Sequence, residues 1–226
     1  MNERPFSEGG PVSAPAYVVR PRTRRPGRPL KAVPSPRGDK REALLRAATK
    51  VFAHRGFFNA QVADVAREAG VAAGTVYLYF RSKDDLLVSI FEQTMREAIA
   101  DARTVLANAD DPLDALRRLA RLHLERTGRD RDLAVVFQVE LRQSTKFMEQ
   151  FSTTLVREYL GLLRDLIAEG QRQRLIRATI RPTLAAKVLF GALDEMATNW
   201  ILSRRRYDLV AVADEVFDLF FHGVKA

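Results

Sequence analysis

The sequence predicts an all-α fold of about nine helices, in which a small three-helix domain precedes a larger helical domain. Apolar residues recur three and four positions apart from residue 39 onward, which is the spacing of amphipathic helices. Helix start signals stand between these runs, such as Ser82 and the pair Asp111-Pro112. Outside residues 71–80 no stretch resembles a strand, and no pair of strands is predicted.

Composition excludes several classes of protein. The 226 residues are 46% hydrophobic, enough for a sizeable core, and they include no cysteine. A disulfide framework and a cysteine-based zinc site are therefore excluded. The chain starts without an apolar signal segment, and charges at Lys187, Asp194 and Glu195 interrupt its most apolar stretch, residues 183–203. We therefore expect a cytoplasmic protein that makes no membrane contact.

Positive charge is concentrated at the start of the chain. Residues 1–38 hold eight Arg and Lys and two Glu, so they contribute 8 − 2 = +6 of the net charge of +9. The same residues hold eight of the ten prolines. A segment so rich in Pro and Arg cannot bury enough apolar surface to fold. Residues 1–38 are therefore predicted to be a disordered basic arm, which either attracts a polyanion or serves only as a solubility tail.

Helical patterns follow one another from residue 39 to the C-terminal end. We predict helices near 39–55, 62–69, 74–80, 83–105, 112–127, 130–143, 145–173, 182–205 and 207–223. The first three and the start of the fourth form one predicted domain, residues 39–87. Residues 88–226 form the second, larger domain.

The segment VAAGTVYLYF, residues 71–80, has the composition of a strand but lies between helices. The preceding helix ends at Gly70, where a left-handed turn is expected, and Ala66 is small enough for two helices to cross. This is the spacing of a helix-turn-helix. Val76 and Phe80 then point inward, and the opposite face carries small and polar residues suited to a DNA major groove. An ordinary helical hairpin is the alternative.

Residues Gly56 to Leu86 read G-F-x(4)-V-x-D-V-A-x-E-A-G-V-x-x-G-T-V-Y-L-Y-F-x-S-K-D-D-L. This pattern resembles the DNA-binding domain of the TetR family of bacterial transcriptional regulators, and the resemblance covers residues 39–87. It implies a homodimer that binds double-stranded operator DNA, with the third helix of each subunit in a major groove. The residues that it implies at or near the duplex are Arg41, Gln61, Ala73, Gly74, Thr75, Tyr77, Tyr79 and Lys83. Ala60 and Ala72 stand where the family often has a capping Ser or Thr.

Within the arm, R-R-P-G-R-P at residues 24–29 resembles the core of an AT-hook. That resemblance implies that Arg25 and Arg28 enter a narrow A·T minor groove. Non-specific attraction to phosphate is the alternative.

The last two predicted helices are apolar on more than one face, so each must be covered on several sides. We expect them to pair with their copies in a homodimer. Charged residues interrupt the apolar runs at Glu140, Arg142, Asp194 and Glu195. Buried ion pairs explain such residues most simply, and polar contacts to a ligand in an apolar cavity are the alternative.

The segments AVVFQVELRQSTKFM and FGALDEMATNWILS, residues 134–148 and 190–203, followed by YDL, resemble the branch of the TetR family that regulates fatty-acid degradation. This resemblance implies repression that an acyl-CoA relieves, with no cofactor besides this effector and no metal. The candidate ligand residues are Phe91, Met95, Arg121, Phe137, Arg142, Lys146, Phe151, Arg157, Tyr159 and Trp200.

Two other classes of function remain to be weighed. An enzyme is disfavoured because His54, His123 and His222 lie on three different helices without metal-ligand spacing, and no nucleophile motif or nucleotide loop occurs. His123 either lines a pocket or packs in the core. An architectural DNA-binding protein without a ligand is the third class. A ligand that binds only the folded protein raises its melting temperature, which separates the first class from the third.

Overall fold

The computed structural model describes residues 36–143, 154–203 and 207–225. The predicted basic arm, including Arg25 and Arg28, lies outside these residues, as do Lys146 and Phe151. The described residues contain nine α-helices and no strand, as predicted. The helices are α1 Pro36–Arg55, α2 Val62–Glu68, α3 Ala73–Tyr77, α4 Lys83–Ala107, α5 Pro112–Arg129, α6 Arg131–Val135, α7 Leu155–Arg172, α8 Pro182–Leu202 and α9 Ala213–Val224.

Helices α1, α2 and α3 and the start of α4 surround one apolar core, and we call this part the head. Its centre is formed by Phe52, Val65, Val76 and Leu87, all of which are almost completely buried. Gly70 has a positive φ of 67°, as predicted, and lets the chain turn from α2 into α3. The Val71 N–H donates to the Ala66 carbonyl across this turn.

The predicted start signals of two long helices are confirmed. The Ser82 hydroxyl accepts a hydrogen bond from the Asp85 N–H, which caps α4. Asp111 accepts from the N–H groups of Leu113 and Asp114, with Pro112 at the first position of α5. Helix α4 begins in the head and continues into a second core, which it shares with α5, α7, α8 and α9. We call this second part the body.

The prediction of one regular α-helix over residues 130–143 is wrong, because the structure has three different helical segments there. Helix α6 ends at Val135, a π-turn spans Val136–Glu140, and a single 3₁₀ turn spans Leu141–Gln143. Side-chain packing decides this, because Val136 and Leu141 are buried in the head core while Ala134 is buried in the body core. An unbroken α-helix spaces these side chains differently, so tertiary packing overrides the local pattern.

The last predicted helix also begins later than expected. A 3₁₀ turn spans Leu209–Val212, and α9 follows it. Helices α8 and α9 pack on each other and on α5. None of the helices in the described part of the chain is both long and apolar enough to cross a membrane.

Candidate DNA-binding and effector sites

Helix α3 presents an open face to solvent. Val76 and Phe80 point into the head core, as predicted, and Tyr77 and Leu78 are 57% and 73% exposed. Ala73 and Gly74 are also exposed, and Thr75 is half-buried. Space around Gly74 is open, so the backbone here can approach a ligand closely. The surface therefore combines small residues with a phenol and an apolar side chain, which suits base edges and thymine methyl groups.

The start of α2 carries another predicted DNA-binding residue, Gln61. Gln61 is the N-terminal cap residue of α2, and its N–H donates to the Asp64 carboxylate at 3.0 Å. This hydrogen bond lowers the pKa of Asp64 below its ordinary value, and the nearby guanidinium groups of Arg55 and Arg67 lower it further against the effect of burial. Gln61 itself is exposed, which leaves its amide available to a phosphate.

Lys83, for which the resemblance implies a phosphate contact, binds backbone carbonyls of the head. Its ammonium group donates to the carbonyls of Phe57, Phe58 and Ala60 at 2.7, 3.1 and 2.9 Å. It also lies 4.6 Å from the centre of the Phe57 ring. Because these three carbonyls use all three ammonium donors, Lys83 joins α4 to the turn before α2 and has no donor left for phosphate in this conformation.

Arg41 and Tyr79, the remaining predicted residues of the head, both contact its core. The Arg41 guanidinium lies 5.2 Å from the centre of the buried Phe80 ring, and Tyr79 is half-buried against the head core. Ala72 is the cap residue of α3 and provides no side-chain hydrogen bond, as expected for alanine. Ala60 does not occupy a cap position, because Gln61 does, and Ala60 is instead 2% exposed in the core.

The body contains a cavity of about 320 Å³ between α4, α5, α6, α7 and α8. Its size falls within the range of about 300–1,000 Å³ that is usual for small-molecule sites. Apolar and aromatic side chains form most of its wall, namely Met95, Leu122, Leu133, Phe137, Tyr159 and Phe190. Three of these, Met95, Phe137 and Tyr159, were predicted.

Two arginines of α5 line the cavity. Arg126 pairs with Asp101 and with Glu97 on α4, and the Glu97 contact is 3.4 Å long. Arg129 is exposed and pairs with Glu125 one turn earlier on α5. Two acidic groups therefore neutralise Arg126, whereas Arg129 lies at the surface of the protein with a partner that solvent screens.

Three rings pack against each other in the cavity wall. His123 lies 6.3 Å from Tyr159 and 5.6 Å from Phe190 between ring centres. Burial lowers the pKa of His123, although the charge of Asp194 opposes this shift. Burial also raises the pKa of Tyr159 to about 12, against a smaller effect of Arg126. Both rings are therefore neutral near pH 7.

Asp194 joins α8 to the π-turn that follows α6. Its carboxylate accepts from the Gln138 amide at 2.7 Å and pairs with Arg142. The interpretation of these interrupting charges as structural ion pairs is therefore confirmed for Asp194 and Arg142. Asp194 and Gln138 also line the cavity, so the same contact forms part of the candidate ligand site.

The other predicted ligand residues lie elsewhere. Phe91 is buried in the head core and stacks on Phe137 with 5.4 Å between ring centres. Trp200 packs under Arg131, and its indole N–H donates to the Tyr207 carbonyl. Arg121 is exposed and pairs with Asp214, Arg142 contacts the cavity only through Asp194, and Arg157 is exposed on α7. None of these five residues lines the cavity.

Sequence reasoning missed Arg126, Arg129, Gln138 and Phe190 as lining residues. Arg126 lies one turn after Leu122 and His123, and Arg129 lies two turns after Leu122, so both arginines share a face of α5 with residues of the cavity wall. Knowledge of which face of α5 meets α4 was needed to use that signal. In the part of the chain that the structure describes, no three acidic or histidine side chains are grouped closely enough to hold a metal ion.

Comparison with known proteins agrees with this division into head and body. The family described as bacterial regulatory proteins, tetR family, matches residues 44–90. A family described as YsiA-like protein, C-terminal region, matches residues 91–223. A fatty acid metabolism regulator protein of Bacillus subtilis is 33% identical over 181 residues, which are 80% of this chain and 93% of that protein.

Two solved structures resemble the chain over most of its length. The fatty acid degradation regulator FadR of Bacillus halodurans superposes with a TM-score of 0.78 at 36% identity, covering 82% of this chain and 96% of that one. FadR of Bacillus subtilis in complex with stearoyl-CoA superposes with a TM-score of 0.76 at 32% identity, covering 80% and 98%. From these matches and the exposed face of α3, we conclude that the chain belongs to the TetR family of DNA-binding bacterial transcriptional regulators.

Proposed function

We propose that the protein is a repressor of genes of fatty-acid or acyl-CoA metabolism, and that an acyl-CoA releases it from its operator. The apolar cavity of the body carries this proposal, because five helices form its wall and aliphatic and aromatic side chains make up most of its lining. Support comes from the likeness to a regulator whose structure holds stearoyl-CoA. An acyl chain in the cavity gains about 0.8 kcal/mol for each methylene that it buries.

Arg129 is the residue that we assign to the CoA phosphates. It lines the cavity, its side chain is 64% exposed, and its partner Glu125 is exposed as well. Arg126 is a poorer phosphate partner, because Asp101 and Glu97 already neutralise it. An arginine at the mouth forms charge-assisted hydrogen bonds to phosphate oxygens while the acyl chain occupies the apolar interior.

A gel-shift series with acyl-CoAs of increasing chain length, together with the matching free fatty acids, tests the proposed function. We expect the acyl-CoAs to release operator DNA, with potency that rises with chain length until the cavity is full, and the free acids to be inactive. Release by free acids at equal concentration contradicts the role of CoA, and a response that ignores chain length contradicts the role of the cavity. A melting curve that no acyl-CoA shifts favours the architectural alternative.

Paired variants locate the effector. Ala98→Phe places a ring in the cavity wall and is expected to weaken acyl-CoA binding at least tenfold, whereas Ala100→Phe on the exposed side of α4 leaves it unchanged. Arg129→Gln is expected to weaken acyl-CoA binding, whereas Arg118→Gln, outside the cavity on α5, leaves it unchanged. Calorimetric titration of each variant measures both effects.

We further propose that α8 and α9 pair with their copies to form a homodimer. Leu184, Val188 and Leu219 are 47%, 54% and 78% exposed, and they line an apolar groove between α8 and α9. A second copy of the same surface covers these side chains. The dimer then sets the distance between the two α3 helices, which must match about 34–36 Å for successive major grooves. Val188→Lys with Leu219→Lys is expected to give a monomer by sedimentation and to abolish operator binding.

A further inference from the structure

The segment from Asp132 to Leu141, here the coupling segment, contacts both the cavity and the head. Leu133, Ala134, Phe137 and Gln138 line the cavity. Val136 and Leu141 are 0% and 3% exposed in the head core, and Leu133 and Phe137 also pack against that core. A ligand in the cavity and the head therefore contact the same ten residues.

Glu140 makes the most specific contact between the coupling segment and the head. Its carboxylate accepts a hydrogen bond of 2.6 Å from the Phe57 N–H, in the turn between α1 and α2. Glu140 is 6% exposed, and it also packs against Gly56, whose φ of 77° shapes this turn. A buried carboxylate is costly without a partner, so this contact favours one placement of the coupling segment against the head.

The backbone around Glu140 departs from α-helical bonding. The Leu141 N–H donates to the Val136 carbonyl five residues earlier, which makes Val136–Glu140 a π-turn. A π-turn holds one residue more than an α-helical turn, and a change to α-helical bonding rotates the residues after it by about 100°, one residue's share of a turn. Phe137 and Gln138 lie inside this turn and face the cavity, so a ligand acts directly on the part of the backbone that aims Glu140.

We propose that Glu140 transmits effector binding to the DNA-binding head. In the absence of effector, Glu140 holds the turn before α2 in the DNA-competent arrangement. An effector that displaces Phe137 and Gln138 changes the bonding of the π-turn and withdraws Glu140 from the Phe57 N–H. This inference rests on the proposed function, and it assigns the release of DNA to the coupling segment in addition to any movement of α4.

The test compares two variants of Glu140. Glu140→Met removes the hydrogen-bond acceptor, and Glu140→Gln keeps one acceptor oxygen. Glu92→Met on α4, outside both sites, is the control. Operator affinity is measured with and without saturating acyl-CoA, and acyl-CoA affinity is measured without DNA. We expect Glu140→Met to bind operator about tenfold more weakly in the absence of effector, with Glu140→Gln in between. The factor by which acyl-CoA weakens operator binding should shrink accordingly, while acyl-CoA affinity without DNA stays within about twofold.

Hydrogen exchange of the Phe57 amide in the unaltered protein supplies a direct readout. Acyl-CoA should remove the protection of this amide, although neither Phe57 nor Glu140 lines the cavity. Unchanged protection overturns the proposal, and so does a Glu140→Met variant that binds and releases operator as the unaltered protein does. If Glu140→Met does not fold, Glu140→Gln and the exchange measurement decide.

Failure of the proposed function has a different signature. In that case acyl-CoA does not bind the unaltered protein and does not release it from operator DNA. The Glu140 contact is then judged from operator affinities without effector, and equal affinities of the unaltered protein and the two Glu140 variants overturn it.

Discussion

The head and the body of this protein use polar groups in different ways. In the head, Asp64 accepts from the Gln61 N–H at the start of α2, and Lys83 and Glu140 bind the turn between α1 and α2. In the body, His123, Tyr159 and Asp194 lie in the wall of a cavity, and their partners leave one side of each facing the empty space. Polar contacts therefore fix turns and a helix start of the head and leave one face of α3 exposed, while the body contains a cavity.

A substitution on the exposed face of α3 is expected to have the largest effect that is confined to one region. Tyr77→Ala removes an exposed phenol from α3 without touching the head core, so stability and acyl-CoA affinity should remain unchanged. Operator affinity should fall by about 1–3 kcal/mol, roughly 5- to 150-fold, the usual value of a good base contact. Fluorescence anisotropy with operator DNA measures the loss, and Tyr207→Ala in the body is the matched control. Unchanged anisotropy places Tyr77 away from DNA.

The role of Lys83 distinguishes a structural cation from a phosphate contact. Lys83→Met should lower the free energy of unfolding by about 2 kcal/mol, because three carbonyls in the turn before α2 lose their charged donor. The salt dependence of operator binding should keep its slope. If the slope is reduced by about 0.9 and stability is unchanged, Lys83 instead makes the phosphate contact that the family resemblance implies. Lys50→Met, which loses an exposed pair with Glu68, is the control.

The basic arm tests whether the head alone sets DNA affinity. Deletion of residues 1–30 removes six Arg and leaves the described helices complete. Operator affinity should decrease, and the slope of log affinity against log salt should flatten by about 0.9 for each phosphate that the shortened chain no longer neutralises. Arg25→Gln with Arg28→Gln should have a larger effect on A·T-rich flanks than on G·C-rich flanks if these two residues enter the minor groove. Equal slopes for the full and the shortened chain reduce the arm to a solubility tail.

The two regions also differ in how far the sequence predicts them. In the head, Gly70, Ser82 and the inward pair Val76 and Phe80 are local signals within one continuous motif, and the structure confirms each of them. In the body, helix positions are predictable, but the cavity is assembled from residues as distant as Thr94 and Asp194. Helix periodicity shows that a face is apolar without showing which neighbour it meets. Arg126 and Phe190 were missed for this reason, and the predicted ligand residue Trp200 does not line the cavity.

The π-turn of the coupling segment was unpredictable for a related reason. Residues 130–143 have a continuous helical pattern, and only the need to bury Ala134 in one core and Val136 with Leu141 in the other changes the bonding. Lys83 gives a similar lesson, since its sequence position is that of a family phosphate contact and only the fold brings three carbonyls to it.

Acid should destabilise the body through His123, and we expect this effect to be smaller than those of the three changes described above. Burial lowers the pKa of His123 from its ordinary value of 6.5, so below that pH the unfolded chain binds a proton that the folded protein resists. His123 therefore does not reduce the free energy of unfolding above pH 6.5. As the pH falls from 6.5 toward the pKa of His123 in the folded protein, the free energy of unfolding decreases by at most about 1.4 kcal/mol per pH unit. His123→Phe, which keeps a ring against Tyr159 and Phe190, should remove this dependence. His222→Gln, an exposed histidine of α9, should retain it, and denaturant titrations between pH 7.5 and 5 under identical salt compare the three proteins. An identical decrease in the unaltered protein and in His123→Phe assigns the acid sensitivity to other groups and places His123 in contact with solvent.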